Sequence, residues 1–261
     1  MENIWGALAV SAIAGLSTGI GSIFSLFSKT DGKKFLSFCL GLSAGVMVYI
    51  SLTELMGEAQ KSFSAFWGEK NGGLFAALAF FFGMALMALI DRLVPENVNP
   101  HETKSMENHD KRLMRTGIMT AVAMAVHNFP EGFATFAAAL HSFELALPTA
   151  FAIAVHNIPE GISVAVPIYH ATKSRKKAFL YSFASGLAEP LGAILGFLLF
   201  MPLIKNPAFM GAVYAAVAGI MVYISVDELL PASRQYGHHH LSVYGFALGM
   251  AVMALSLWAF I

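Results

Sequence analysis

Ala125-Val126-His127-Asn128-Phe129-Pro130-Glu131-Gly132 and Ala154-Val155-His156-Asn157-Ile158-Pro159-Glu160-Gly161 are two copies of one octapeptide, each set inside an apolar run. Histidine and glutamate four residues apart project from one face of a helix, so each copy can grip a cation between an imidazole and a carboxylate. Asn128 and Asn157 add a carbonyl oxygen beside each histidine. Pro130 and Pro159 lack an N–H and clash with the preceding turn, which predicts bent helices and freed carbonyls at Val126 and Val155. Carbonyls of that kind are tolerated at membrane depth only inside protein or along a cavity. The glycine after each glutamate leaves room for an opposing helix.

The surrounding composition is that of a membrane protein. The 261 residues are 57% hydrophobic and 12% charged, which is roughly half the charge of an average soluble domain. A soluble chain of this length would need a charged surface that these residues do not supply. Zero net charge gives no reason to expect a nucleic-acid partner. Cys39 is the sole cysteine, so neither a disulfide framework nor a thiolate metal cluster is available. Apolar runs fall at 4–27, 35–57, 73–94, 116–138, 149–170, 179–203, 210–231 and 242–261. About 20 residues cross the hydrocarbon core, so the expectation is an all-α integral membrane protein of eight transmembrane helices, forming one domain over 1–261. Glu2 and the lack of a basic n-region make the first run a retained span rather than a cleaved signal.

Short loops rich in Lys and Arg stay cytoplasmic. Thirteen of the 16 basic residues fall on one side of the alternating spans; only Lys61, Lys70 and Lys205 fall on the other. Both termini are therefore expected outside, periplasmic if the membrane is a bacterial inner membrane. The polar loop at about 93–115, with His101 and His109, is expected to be cytoplasmic and flexible.

Further repeats link the flanking spans. Val48-Tyr49-Ile50-Ser51-Leu52-Thr53-Glu54-Leu55 matches Val222-Tyr223-Ile224-Ser225-Val226-Asp227-Glu228-Leu229, and Gly83-Met84-Ala85-Leu86-Met87-Ala88-Leu89 matches Gly249-Met250-Ala251-Val252-Met253-Ala254-Leu255. Ala14-Gly15-Leu16 with Gly21 is echoed by Ser185-Gly186-Leu187 with Gly192. Spans 1–3 thus resemble spans 6–8 and cross the membrane in opposite directions, an inverted repeat around central spans 4 and 5, as in many transporters.

Imidazole with carboxylate and no thiolate suits zinc, iron(II), manganese, cobalt or nickel, and argues against copper(I), magnesium and calcium. Glu189, followed by Pro190 in the sixth span, is a third intramembrane carboxylate. A charged carboxylate at the bilayer centre costs about 2.5–3.5 kcal/mol on insertion scales, so a bound cation or protons must compensate the central ones. Met47, Ser51, Glu54, Asp227 and Glu228 are candidate pathway residues. For the three acids, near span ends, snorkelling to water is the competing reading, and for Met47 it is apolar packing. His238, His239 and His240 read as a solvated tract with weak metal affinity.

The double His-Asn-x-Pro-Glu-Gly motif, the eight spans and the His-bearing third loop resemble the ZIP family of zinc and iron permeases, and Gly-Leu-Ala-Glu189 and Val-Asp227-Glu228-Leu resemble its bacterial zinc-transporter branch. That resemblance covers essentially the whole chain. It implies the ZIP fold and a metal centre at His127, Asn128, Glu131, His156, Asn157, Glu160 and Glu189. In members with two adjacent metals, His127, Glu131, His156 and Glu160 would correspond to one site. Asn128, Asn157, Glu189 and the shared glutamates would form the other, where the pattern has an aspartate at the position of Asn157. The implied activity is uptake of zinc, and of other divalent metals such as iron, manganese, cobalt and cadmium, into the cytoplasm, by an elevator-like or rocking motion. No enzyme activity and no resident cofactor are expected; the partners are the metal ions and the lipid bilayer, with a homodimer left open. The alternatives are metal/proton exchange at the same site and an intramembrane metalloenzyme. The enzyme reading is weakened by the lack of a His-Glu-x-x-His motif.

Overall fold

Capping side chains and a few helix breakers set the element boundaries. The computed structural model describes residues 4–27, 32–93, 109–141, 143–235 and 238–259, and among them every regular element is helical. The α-helices are α1 (Ile4–Phe27), α2 (Gly32–Ile50), α3 (Met56–Trp67), α4 (Glu69–Leu93), α5 (His109–His141), α6 (Phe143–Thr172), α7 (Arg175–Gly186), α8 (Ala188–Phe200), α9 (Pro207–Ile224), α10 (Leu230–Gln235) and α11 (His239–Ala259). Asn206 Oδ1 accepts from the N–H groups of Ala208 and Phe209 at 2.9 and 3.4 Å, and Pro207 follows it, so α9 begins there. Ser174 Oγ accepts from Lys177 N–H at 3.3 Å and starts α7. Gly68, at φ 79°, ends α3 in a backbone conformation that a side chain would strain.

Among the described residues six helical stretches are long and apolar enough to cross a membrane: Ile4–Ile23, Lys34–Trp67, Glu69–Arg92, Arg175–Phe200, Pro207–Arg234 and His239–Ala259. The chain is a multi-pass helical membrane protein. Large apolar side chains exposed along α4 and α8, among them Phe81, Phe82, Leu198 and Leu199, suit a lipid surface. α5 and α6 hold 33 and 30 residues, about 50 and 45 Å at about 1.5 Å per residue. Both outrun the apolar runs that announced them. α5 starts at His109, inside the stretch expected to be a loop; residues 94–108, with His101, lie outside the described residues.

The repeated Val-Tyr-Ile-Ser motif has a structural signature. α2 passes into α3 through a π-helical turn at Ser51–Leu55, and α9 passes into α10 through another at Ser225–Leu229. In each, the N–H after the turn reaches back five residues, Met56 to the Ser51 carbonyl and Leu230 to the Ser225 carbonyl. Ser51 Oγ donates to the Met47 carbonyl at 2.6 Å and Ser225 Oγ to the Met221 carbonyl at 2.7 Å. One extra residue per turn breaks the i to i−4 ladder, and such bulges often mark functional positions.

Packing separates the helices into two groups. α1 lies along α6, α5 along α6 and α8, and α7 against α1 and α6; in the other group α2 lies along α11, and α9 along α3 and α4. The groups meet chiefly where α2 crosses α6 and α5 crosses α9. In the outer group the crossings recur at repeat-related glycines. A Cβ on Gly45 would overlap the Phe246 carbonyl, as one on Gly219 would overlap that of Phe80. Gly83 is pressed on the Ala216 carbonyl in the way Gly249 is on that of Leu42.

Overpacking of this kind costs about 1–3 kcal/mol or more. Gly45→Val is therefore expected to lower the thermal midpoint in detergent by several degrees or to prevent folding. Gly57→Ala, where a Cβ meets nothing within 4 Å, should leave it unchanged or raise it slightly, since alanine is the better helix former. Fluorescence-detected unfolding reads both.

Candidate metal centre

The two octapeptides sit at mid-length of α5 and α6, and both helices run on through their prolines. His127, Asn128, Asn157 and Glu160 are fully buried, and Glu131 is 3% exposed. His127 Nε2 stands 3.1 Å from Glu131 Oε2 on its own helix and 3.4 Å from Glu160 Oε1 on the facing one. Zinc takes nitrogen and oxygen ligands at about 2.0–2.1 Å, so the edge of its tetrahedron is about 3.3 Å. The two distances from His127 Nε2 match that edge.

Glu189 completes the acidic wall from a third direction. α7 ends at Gly186, Leu187 forms the joint, and Glu189 lies in the first turn of α8, fully buried. Pro190 has no N–H to return to the Gly186 carbonyl, which instead lies against Gly15 of α1. Asn157 Nδ2 donates to Glu189 Oε1, a short contact, and Glu189 Oε2 and Glu160 Oε2 have no hydrogen-bond partner among the described residues. Burying carboxylate oxygens without partners is costly unless a cation meets them.

The asparagines are oriented by neighbouring backbone. Asn157 Nδ2 also donates to the Ala14 carbonyl at 2.9 Å, and Asn128 Nδ2 donates to the Ser185 carbonyl at 3.4 Å. With both amide nitrogens turned to carbonyls, each Oδ1 is left buried and unbonded among the described residues, available as a neutral ligand. Counting His, Cys, Asp and Glu alone, no group of three among the described residues is arranged to hold a metal ion. The side chain of His156 lies outside the described ones.

Glycine sets how closely α1 and α7–α8 approach the two motifs. A Cβ on Gly132 would overlap the Glu189 carbonyl, and one on Gly161 the Thr18 carbonyl. Gly21 faces the Ile158 carbonyl and Gly192 that of Phe129. The backbone anchors at Ala14 and Ser185 were not singled out in the sequence; the Ala14-Gly15-Leu16 and Ser185-Gly186-Leu187 echo marks both.

The candidate pathway residues lie elsewhere. Met47 is fully buried in the main apolar core, Ser51 is buried in the first π-helical turn, Glu54 is half-buried there, and Asp227 (exposed) and Glu228 (half-buried) occupy the second. Met47 shares that core with Val126 and Ile158 of the two octapeptides, and Glu228 lies within electrostatic reach of His127. His239 and His240 are exposed at the start of α11.

Residues 92–257 match the family model described as ZIP Zinc transporter. Along its whole length the chain is similar to proteins named Zinc transporter ZupT. It is 54% identical to that of Streptococcus mutans over 100% of this chain and 99% of the relative. For Clostridium perfringens the identity is 52% over 100% and 98%, and for Oceanobacillus iheyensis 52% over 98% of each.

Hydrogen bonds to charged groups contribute about 1.5–3 kcal/mol. Asn157→Leu, which removes the hydrogen bond to Glu189 and a buried amide oxygen, is expected to weaken zinc binding roughly tenfold or more, measured calorimetrically on the detergent-purified protein. Asn206→Ala, far from the motifs in the α9 cap, should leave the affinity unchanged.

Proposed function

The chain belongs to the ZIP family of zinc transporters, a family of transport proteins rather than enzymes, and from that premise we propose that it carries zinc across a bacterial inner membrane into the cytoplasm through the centre between α5, α6 and α8. The observation that carries this is the convergence of His127, Glu131, Glu160 and Glu189, all essentially buried, in the middle of a membrane bundle. Asn128, Asn157 and His156 complete the proposed ligand set. All donors are nitrogen or oxygen, which also accommodates iron(II), manganese, cobalt and cadmium, so supply in the cell contributes to selection.

α5 and α6 serve in this reading as the fourth and fifth of eight spans, with both termini periplasmic. The inverted repeat is supported by the glycine contacts. Gly45 on Phe246 and Gly219 on Phe80 are repeat-related, as are Gly132 on Glu189 and Gly161 on Thr18. The two packing groups suggest what moves: α1, α5, α6, α7 and α8 carry the metal past the frame of α2, α3, α4, α9 and α11 in an elevator-like or rocking step. Met47, Ser51, Glu54, Asp227 and Glu228 lie on that frame, where a passing ion meets oxygen and sulfur donors.

Uptake of labelled zinc into proteoliposomes tests the proposal, with iron(II), manganese and cobalt as competitors and two imposed pH gradients. Wild type is expected to accumulate zinc, and Glu131→Ala/Glu160→Ala to fall to the rate of empty vesicles. Equal uptake by both proteins contradicts the assignment. A rate that follows the pH gradient assigns metal/proton exchange at the same centre.

A further inference from the structure

The repeat that relates α1 to α7–α8 equates Gly15 with Gly186, Gly21 with Gly192, and therefore Thr18 with Glu189. The glycine contacts keep this equivalence. The Glu189 carbonyl closes on Gly132, directly after Glu131, and the Thr18 carbonyl closes on Gly161, directly after Glu160. The Glu189 Cβ lies 3.3 Å from the Cβ position of Gly15, and the Thr18 Cβ lies 2.9 Å from that of Gly186. Each motif glutamate thus has one of these two residues beside it on a flanking helix.

The side chains differ in chemistry. Glu189 is bonded by Asn157. Thr18 is fully buried, and its hydroxyl has no hydrogen-bond partner among the described residues. That hydroxyl lies 3.0 Å from the Gly186 Cβ position, beside Ser185, whose carbonyl accepts from Asn128. Asn128 Oδ1 is likewise unbonded among the described residues. Asn128 is the repeat mate of Asn157, so the pair of Thr18 and Asn128 stands where the pair of Glu189 and Asn157 stands on the other side. Buried hydroxyls and amide oxygens without partners are uncommon and ask for an occupant.

Resting on the transport reading above, we propose that Thr18 is a metal-pathway residue: its hydroxyl, with Asn128 Oδ1, forms the neutral counterpart of the Glu189–Asn157 half-site and gives oxygen to the hydrated divalent cation. Neutrality there has a physical use. Glu131, Glu160 and Glu189 already place three carboxylates around a dication, and a fourth would hold it too firmly. Conduction needs a site that an ion can leave as well as reach.

Two replacements separate the hydroxyl from the methyl. Thr18→Val keeps the shape and removes the oxygen; Thr18→Ser keeps the oxygen and removes the methyl. In the proteoliposome assay Thr18→Val is expected to raise the KM for zinc roughly fivefold or more, the scale of one lost hydrogen bond, with a smaller change in maximal rate, and Thr18→Ser to behave as wild type. The reverse order, valine intact and serine impaired, assigns Thr18 to packing and overturns the proposal; so does wild-type behaviour of both. An exchange adds a second reading by calorimetry: Glu189→Thr weakens zinc binding, and Thr18→Glu introduced beside it restores binding. Failure of a folded double variant to regain affinity counts against the equivalence, and where the double variant does not fold the valine and serine pair decides. Wild type and Glu131→Ala/Glu160→Ala run in parallel: wild-type uptake lost only in that double variant with Thr18→Val unaffected defeats this inference alone, whereas no wild-type uptake defeats the transport reading.

Discussion

Carboxylates in a bilayer interior must be compensated, and this requirement organises the molecule. Glu160 and Glu189 are fully buried and Glu131 nearly so, in a chain whose neighbouring spans are apolar. One imidazole, His127, lies within ion-pair distance of two of them. Among the described side chains the His127 imidazole offsets only part of the charge of three carboxylates, and in the proposed reading a divalent cation or protons supply the rest. Every donor being nitrogen or oxygen, and Cys39 lying apart in the α2 core, narrows the cation to those that accept imidazole and carboxylate.

Holding such a site requires close backbone approach, which glycine provides. Gly132 and Gly161 let α8 and α1 press their carbonyls against the two motif turns. That proximity allows Asn128 and Asn157 to reach the Ser185 and Ala14 carbonyls, which leaves their amide oxygens buried and unbonded among the described residues. In the outer group Gly45, Gly83, Gly219 and Gly249 serve helix contact alone. Small residues thus both tighten the frame and shape the centre, as helix association in lipid requires.

Much of this was legible in the residues. The duplicated octapeptide placed His127 and Glu131 on one helix face, where they lie 3.1 Å apart, and the flanking sequence repeats equate Gly45 with Gly219, each of which meets a phenylalanine carbonyl. Local pattern left other features hidden. The matched Val-Tyr-Ile-Ser motifs announced a repeat but not that each becomes a π-helical turn, since that depends on which carbonyl a distant N–H selects. Apolar runs understated α5, because its first turn, His109-Asp110-Lys111-Arg112, is polar. Thr18 carries no intrinsic mark; only its register opposite Glu189 distinguishes it from any buried threonine.

The most direct test of the central assignment is zinc K-edge X-ray absorption on the purified protein loaded with metal. The account predicts a first shell of nitrogen and oxygen at about 2.0–2.1 Å with imidazole scattering, lost in Glu131→Ala/Glu160→Ala. A sulfur shell at about 2.3 Å, or an unchanged spectrum in the double variant, would contradict it.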